Sequence, residues 1–175
     1  MYFKHPDFDP FIEAVEQKNK ITLSGLQGSS QALLAAYSFL RLGNKHLFIL
    51  PDKEQAAFFY HDLEILLQDA DNELSQKTVH FLPATFARLF DWNETDVTNL
   101  KLRSEIIDKL LTSSQSLLMV TYPDAIAEKM VSPGYLMENR FEVKKGELVP
   151  TDIFLEYLYS FEYKPEDFVF EPGQF

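Results

Sequence analysis

Short apolar runs alternate with helix-length amphipathic segments along most of this chain, and that alternation restricts it to an α/β fold. The apolar runs cover residues 21–24, 46–50, 78–82 and 116–121. Between the first two, residues 29–42 place Leu33, Leu34, Tyr37 and Leu40 near helical spacing. Ala56, Phe59, Tyr60, Leu63, Leu66 and Leu67 mark the buried face of the next helix. Leu102, Ile106 and Leu110 mark another, over 100–111, and a short helix is predicted around 124–130. Such a pattern favours a parallel sheet covered on both faces and joined by right-handed crossovers. Residues 84–96 read as irregular, with aromatics at Phe86, Phe90 and Trp92.

Local signals place several ends. Asp9 before Pro10 reads as a helix start, with Phe11, Ile12 and Val15 on the apolar side. Gly43 reads as a helix stop. Asp52 with Gln55 three residues later has the spacing of a capping box. The pattern changes after Pro133-Gly134. Residues 140–143, Lys144-Lys145-Gly146 and 148–149 read as a hairpin, Thr151 as the cap of a helix to Ser160, and 167–171 as a strand. The expected division is therefore 1–131 as an α/β domain and 132–175 as the start of a small α+β lobe. Pro133-Gly134 is expected as an exposed turn. Glu171-Pro172-Gly173-Gln174 is a turn signal just before the last residue, so the chain reads as a fragment whose small lobe is truncated.

Composition narrows the chemistry. Of the 175 residues, 46% are hydrophobic, enough for a core, and the formal net charge is -11, which disfavours nucleic-acid backbones and suits basic partners. The absence of cysteine excludes disulfides, thiolate catalysis and cysteine-ligated zinc. His5, His46, His61 and His80 form no H-x-x-x-H pair, so no metal site is expected. The first nine residues are not a secretory signal, and no run approaches the ~20 apolar residues of a membrane span. A cytoplasmic protein is expected. Asp91, Glu94 and Asp96 lack the glycine-centred calcium loop, and they read as solvated, as do Glu166 and Asp167. Ser24, Ser29 and Ser30 have no accompanying histidine and acid, and no G-x-S-x-G elbow occurs.

The segment with the most chemical content is Gly25-Leu26-Gln27-Gly28-Ser29-Ser30-Gln31-Ala32, between an expected strand and an expected helix. A phosphate-binding loop there needs G-x-x-x-x-G-K-[ST]: glycines to wrap the phosphates, lysine for charge, and a hydroxyl for magnesium. Here Ser30 stands at the second glycine, Gln31 at the lysine and Ala32 at the metal ligand. A helix N-terminus attracts an anion only weakly by itself. The residues therefore favour a tight strand-to-helix turn without a ligand, and no cofactor is expected.

The order of several pieces resembles the N-terminal region of the bacterial transcription-repair coupling factor (Mfd) family, itself similar to the excision-repair protein UvrB. Ile21 through Ser30 resembles that family's decayed P-loop, and Leu50-Pro51-Asp52 follows the second strand. Phe81-Leu82-Pro83-Ala84 resembles a P-x-x-E-x-x-P-Y region, with Thr85, Arg88 and Leu89 departing from it. Leu102-Arg103-Ser104-Glu105-Ile106-Ile107 resembles a helix carrying an arginine and leucines, and Val120-Thr121-Tyr122-Pro123-Asp124-Ala125-Ile126 a V-T-P-V-x-A-L strand exit. Phe141 through Glu147, Phe161-Glu162-Tyr163 and Phe170 through Phe175 are similar to the segment shared with UvrB. The likeness extends over nearly the whole chain.

The resemblance implies a helicase-related, P-loop-like α/β domain that does not bind nucleotide, followed by a small domain that binds UvrA. It also implies that the ATP-dependent DNA translocase, and the parts contacting RNA polymerase and DNA, belong to other regions of the full-length protein. Lys144, Lys145 and Lys164 are the candidate partner-binding residues, with an ordinary solvated surface as the plain alternative. UvrB has an arginine two residues after the equivalent of Tyr163, where this chain has Pro165, and further arginines just past the equivalent of Phe175. The expected function is non-enzymatic recruitment of UvrA to stalled transcription in nucleotide-excision repair of DNA damage. The alternative is an atypical P-loop-like nucleotide-binding protein.

Overall fold

The computed structural model describes residues 6–17, 20–73, 76–86, 96–170 and 173–175. In chain order these form α1 (Phe8–Gln17), α2 (Ser30–Leu42), β1 (Lys45–Ile49), α3 (Lys53–Leu66), β2 (Val79–Phe81), α4 (Val97–Thr112), β3 (Leu117–Thr121), α5 (Pro123–Ala127), α6 (Pro133–Glu138) and α7 (Thr151–Ser160). The chain divides into two compact units, Met1–Met130 and Val131–Phe175.

The first unit is an α/β fold around a parallel three-stranded sheet of order β1-β3-β2. Register pairs Leu47 with Met119 and His80 with Met119, so β3 is central. All five residues of β3 are buried, which is why Leu-Leu-Met-Val-Thr is a nearly continuous apolar run: both of its faces are covered. On one face, Phe39 of α2 and Phe59 and Leu63 of α3 pack on Val79, Leu118 and Val120. On the other, Ile106 and Leu110 of α4 pack on Leu82, Leu117 and Met119. Asp69, buried before β2, accepts from the Thr78 and Val79 amides at 2.8 and 2.7 Å and clamps the start of that strand.

Two terminal signals act as their chemistry dictates. Gly43 ends α2 at φ 62°, and an added Cβ there would meet Ser116 Oγ at 3.2 Å. Asp52 accepts from the Gln55 amide at 2.8 Å, while the Gln55 side chain returns a bond of 2.5 Å. The same contacts hold the Asp52 carboxyl below the usual carboxylate range. Asp52→Ala is expected to lower the midpoint of urea unfolding, because the Gln55 amide loses its cap.

Other expectations need correction. Residues 21–24 pair with no strand among the described residues. Two of the four are hydroxyl residues, Leu23 is half exposed, and so short a run buries too little to offset its ordering entropy. Asp9 lies inside α1 rather than capping it. Its carboxylate accepts from Tyr37 Oη at 2.6 Å and faces Arg41 at 3.8 Å, tying α1 to α2. The last short helix of the first unit is Pro123–Ala127, not 124–130, with Pro123 at its first position. Residues 87–95, including Phe90, Trp92, Asp91 and Glu94, lie outside the described residues. Asp96 accepts from the Asn99 amide at 3.1 Å and caps α4.

The second unit contains helices and, among its described residues, no strand. Pro133-Gly134 opens α6, with Ser132 accepting from the Tyr135 amide at 3.3 Å, instead of forming a turn. The expected hairpin is reduced to its turn, where Glu147 N donates to Lys144 O at 3.0 Å and Gly146 takes φ 92°. Residues 167–170 are not a strand. Lys164 forms an isolated bridge with Gln174, with Lys164 N donating to Gly173 O at 2.8 Å and Phe175 N to Lys164 O at 3.0 Å. The rings of Phe141, Tyr157 and Phe161 pack in series at tilted angles, with centroids 4.7 and 4.8 Å apart. None of the unit's described residues is fully buried.

Candidate functional site

The glycine loop has the backbone of a tight turn and little of the chemistry of a phosphate site. Gly25 and Gly28 take φ 81° and 53°, and a Cβ at either would meet open space. Their glycine character therefore serves the backbone conformation, not close approach by a neighbour. Ser30 closes the turn on itself: its Oγ accepts from the Gln27 amide at 2.8 Å, and its own N–H donates to Gln27 O at 3.2 Å. Ser29 precedes α2 without a side-chain capping bond.

The two decisive positions point to different surroundings. Ala32 is fully buried in the core between α2 and the sheet, where a hydroxyl for metal would have no solvent access. Gln31 is exposed and borders a recess of about 250 Å³ walled by Leu23, Leu26, Leu34, Phe48 and Phe59. No charged residue occurs anywhere from 21 to 40. A phosphate here would meet apolar walls and no cation of the loop, and its charge would go uncompensated.

Lys144 and Lys145 share one exposed turn, in which Lys144 N donates to Glu147 Oε2 at 3.2 Å. Lys164 is exposed on a different segment, beyond α7, and its backbone makes the bridge to residues 173–175. Among the described residues, no three His, Asp or Glu side chains gather as a metal site requires.

The first unit also buries three polar features that spacing alone does not announce. Tyr60 Oη donates to Glu64 Oε1 at 2.5 Å, and Lys77 Nζ donates to both residues. Burial, then the Glu64 bond, push the Tyr60 hydroxyl up to about 12. Burial works against the Lys77 ammonium, but Glu64 and Tyr60 together outweigh it and raise its pKa. Arg103 of α4 donates to the Pro83 and Glu128 carbonyls. His80 is buried between the sheet and α4, with no well-formed hydrogen bond to either ring nitrogen among the described residues. Its only sequence signal is its place inside the apolar run Val79-His80-Phe81-Leu82.

No family model and no curated protein matches this chain.

Proposed function

We propose that this chain is a non-catalytic module with a P-loop-like frame and a degenerate phosphate loop, the N-terminal part of a transcription-repair coupling factor. On this reading it works in the cytoplasm in nucleotide-excision repair and recruits UvrA through its second unit. Lys144, Lys145 and Lys164 contribute to the contact, while RNA polymerase and DNA are engaged by other parts of the full-length protein.

The loop carries the non-catalytic half of the reading. It keeps the left-handed glycines of a turn opening a helix, yet Ser30 Oγ occupies the Gln27 amide, Ala32 is sunk in the core, and Gln31 borders an apolar recess. Phosphoryl transfer needs fixed positive charge and a metal ligand, and these positions supply neither. The partner half is supported by the sequence resemblance. The exposed lysines of the second unit are compatible with it.

A titration against purified UvrA tests the proposal. The chain is expected to bind, and reversal of Lys144, Lys145 and Lys164 to glutamate is expected to weaken binding about tenfold or more. ATP with magnesium should give neither heat of binding nor turnover. Absence of UvrA binding by the unchanged chain rejects the recruiting role, and unaltered affinity after charge reversal rejects the lysines. ATP binding lost on Gly28→Trp would favour a nucleotide-binding protein instead.

A further inference from the structure

Strand alternation turns Phe48 and Leu50 toward α2 and α3, where both pack on the core. The recess of about 250 Å³ beside Gln31 opens between these residues, α2 and the segment before it. Phe48 packs on Phe59 at a tilted angle, with ring centroids 5.4 Å apart, so one wall of the recess is aromatic. Leu23 and Ile49 also border it and are 47% and 56% exposed, which carries the apolar lining out to solvent. Apolar side chains around a space open to water forgo burial and dispersion contacts, and a molecule of matching polarity restores both.

The lining selects that molecule. None of the residues bordering the recess is ionisable, so a charged group entering it would lose hydration without compensation. The hydroxyl of Ser38, which also borders it, already donates to Ala35 O at 2.8 Å. Gln31 is different: it is exposed at the recess, and its side-chain amide bonds no other described residue. That amide offers an acceptor oxygen and two N–H donors. The volume falls just below the ~300–1,000 Å³ of sites for drug-sized ligands, which suits one ring or two fused rings. Aromatic ligands gain most here, because ring edges and faces pair favourably with phenylalanine.

We infer that this recess binds a small neutral aromatic molecule with a single N–H or O–H group, its ring against Phe48 and Phe59 and its polar group hydrogen-bonded to Gln31. The site borrows none of the phosphate chemistry that the glycine loop lacks, and it stands whether or not the chain recruits UvrA.

The test is a titration of the full chain with indole, followed by the NMR methyl resonances of Leu23, Leu34 and Leu50. The ring current of a bound indole should shift these methyls saturably and leave those of Leu117, on the α4 side of the sheet, unmoved. Leu23→Asp puts a carboxylate on the wall and should weaken binding about tenfold or more. Leu23 is half exposed, so this variant keeps its fold, which its amide spectrum checks. Indene has the shape of indole without the N–H, and it should bind about fivefold more weakly, a preference that Gln31→Ala abolishes. Indole-3-carboxylate should bind at least tenfold more weakly than indole. The inference is overturned if indole gives no saturable shift, if indole-3-carboxylate binds as well as indole, or if Leu23→Asp leaves the affinity unchanged. A preference for indole over indene that survives Gln31→Ala overturns the role of Gln31.

Discussion

Arg103→Met is expected to destabilise the first unit by about 3–5 kcal/mol, the cost of breaking a buried charge pair from one side. Arg103 is 4% exposed. Its Nη1 donates to Pro83 O at 2.8 Å, its Nη2 donates to Glu128 O at 3.2 Å, and the Glu128 carboxylate stands 3.9 Å away. That carboxylate also accepts from the Thr85 amide at 2.8 Å and from the Thr85 hydroxyl. One side chain of α4 thus holds together the segment leaving β2 and the residue following α5. Methionine fills much of the volume but leaves Glu128 without its cation and Pro83 O without its donor. Arg103→Lys should fall between the two, because an ammonium keeps the charge but cannot fork to two carbonyls. Urea unfolding measures all three proteins. A loss below about 1 kcal/mol for the methionine variant would show that the network is solvated rather than buried. Removing Glu128 as well should cost less than the sum of the separate changes, since the two groups share one network.

That network marks the limit of what the sequence discloses. Arg103 was legible as one arginine on a helix, but its partners lie 20 and 25 residues away, and only the tertiary fold brings them together. The features that were legible are local or two-sided. Gly43 ends a helix because its own φ permits it, Asp52 and Gln55 meet across one turn, and β3 is apolar throughout because both faces are covered. Failures came where a short run depended on a partner elsewhere. Residues 21–24 and 167–170 have strand-like composition, but composition supplies no neighbouring strand. The glycine loop was legible as to which groups it lacks. The closure of Ser30 on Gln27 and the apolar wall beside Gln31 were not, because both depend on how the loop lies against the core.

His80 gives the largest expected pH effect. Below neutrality the chain should lose stability between pH 6.5 and 4 through this one residue, on the order of 2 kcal/mol once solvent screening is allowed for. Burial and the repulsion of Lys109 and Lys77 lower the ring's pKa in the folded chain to about 4, and the weaker influences of the Lys77 carbonyl and Asp69 do not restore it. In the unfolded chain the ring titrates near its ordinary 6.5. The unfolded state therefore takes up the proton first. The stabilising contribution is whole above about pH 6.5, shrinks as pH falls, and levels out below about pH 4, once both states are protonated. Carboxylates add their own acid loss, so the measured quantity is a difference between two proteins. His80→Phe removes the titration and the two poorly satisfied ring nitrogens while keeping a planar ring in the site. It should be more stable than the unchanged chain by about 1–3 kcal/mol at pH 7, with a further gap opening as the pH is lowered to 4. Urea unfolding at four or five pH values between 7 and 4 measures that gap. Parallel curves for the two proteins would mean that the ring is solvated or hydrogen-bonded in solution, and that its burial carries no proton linkage.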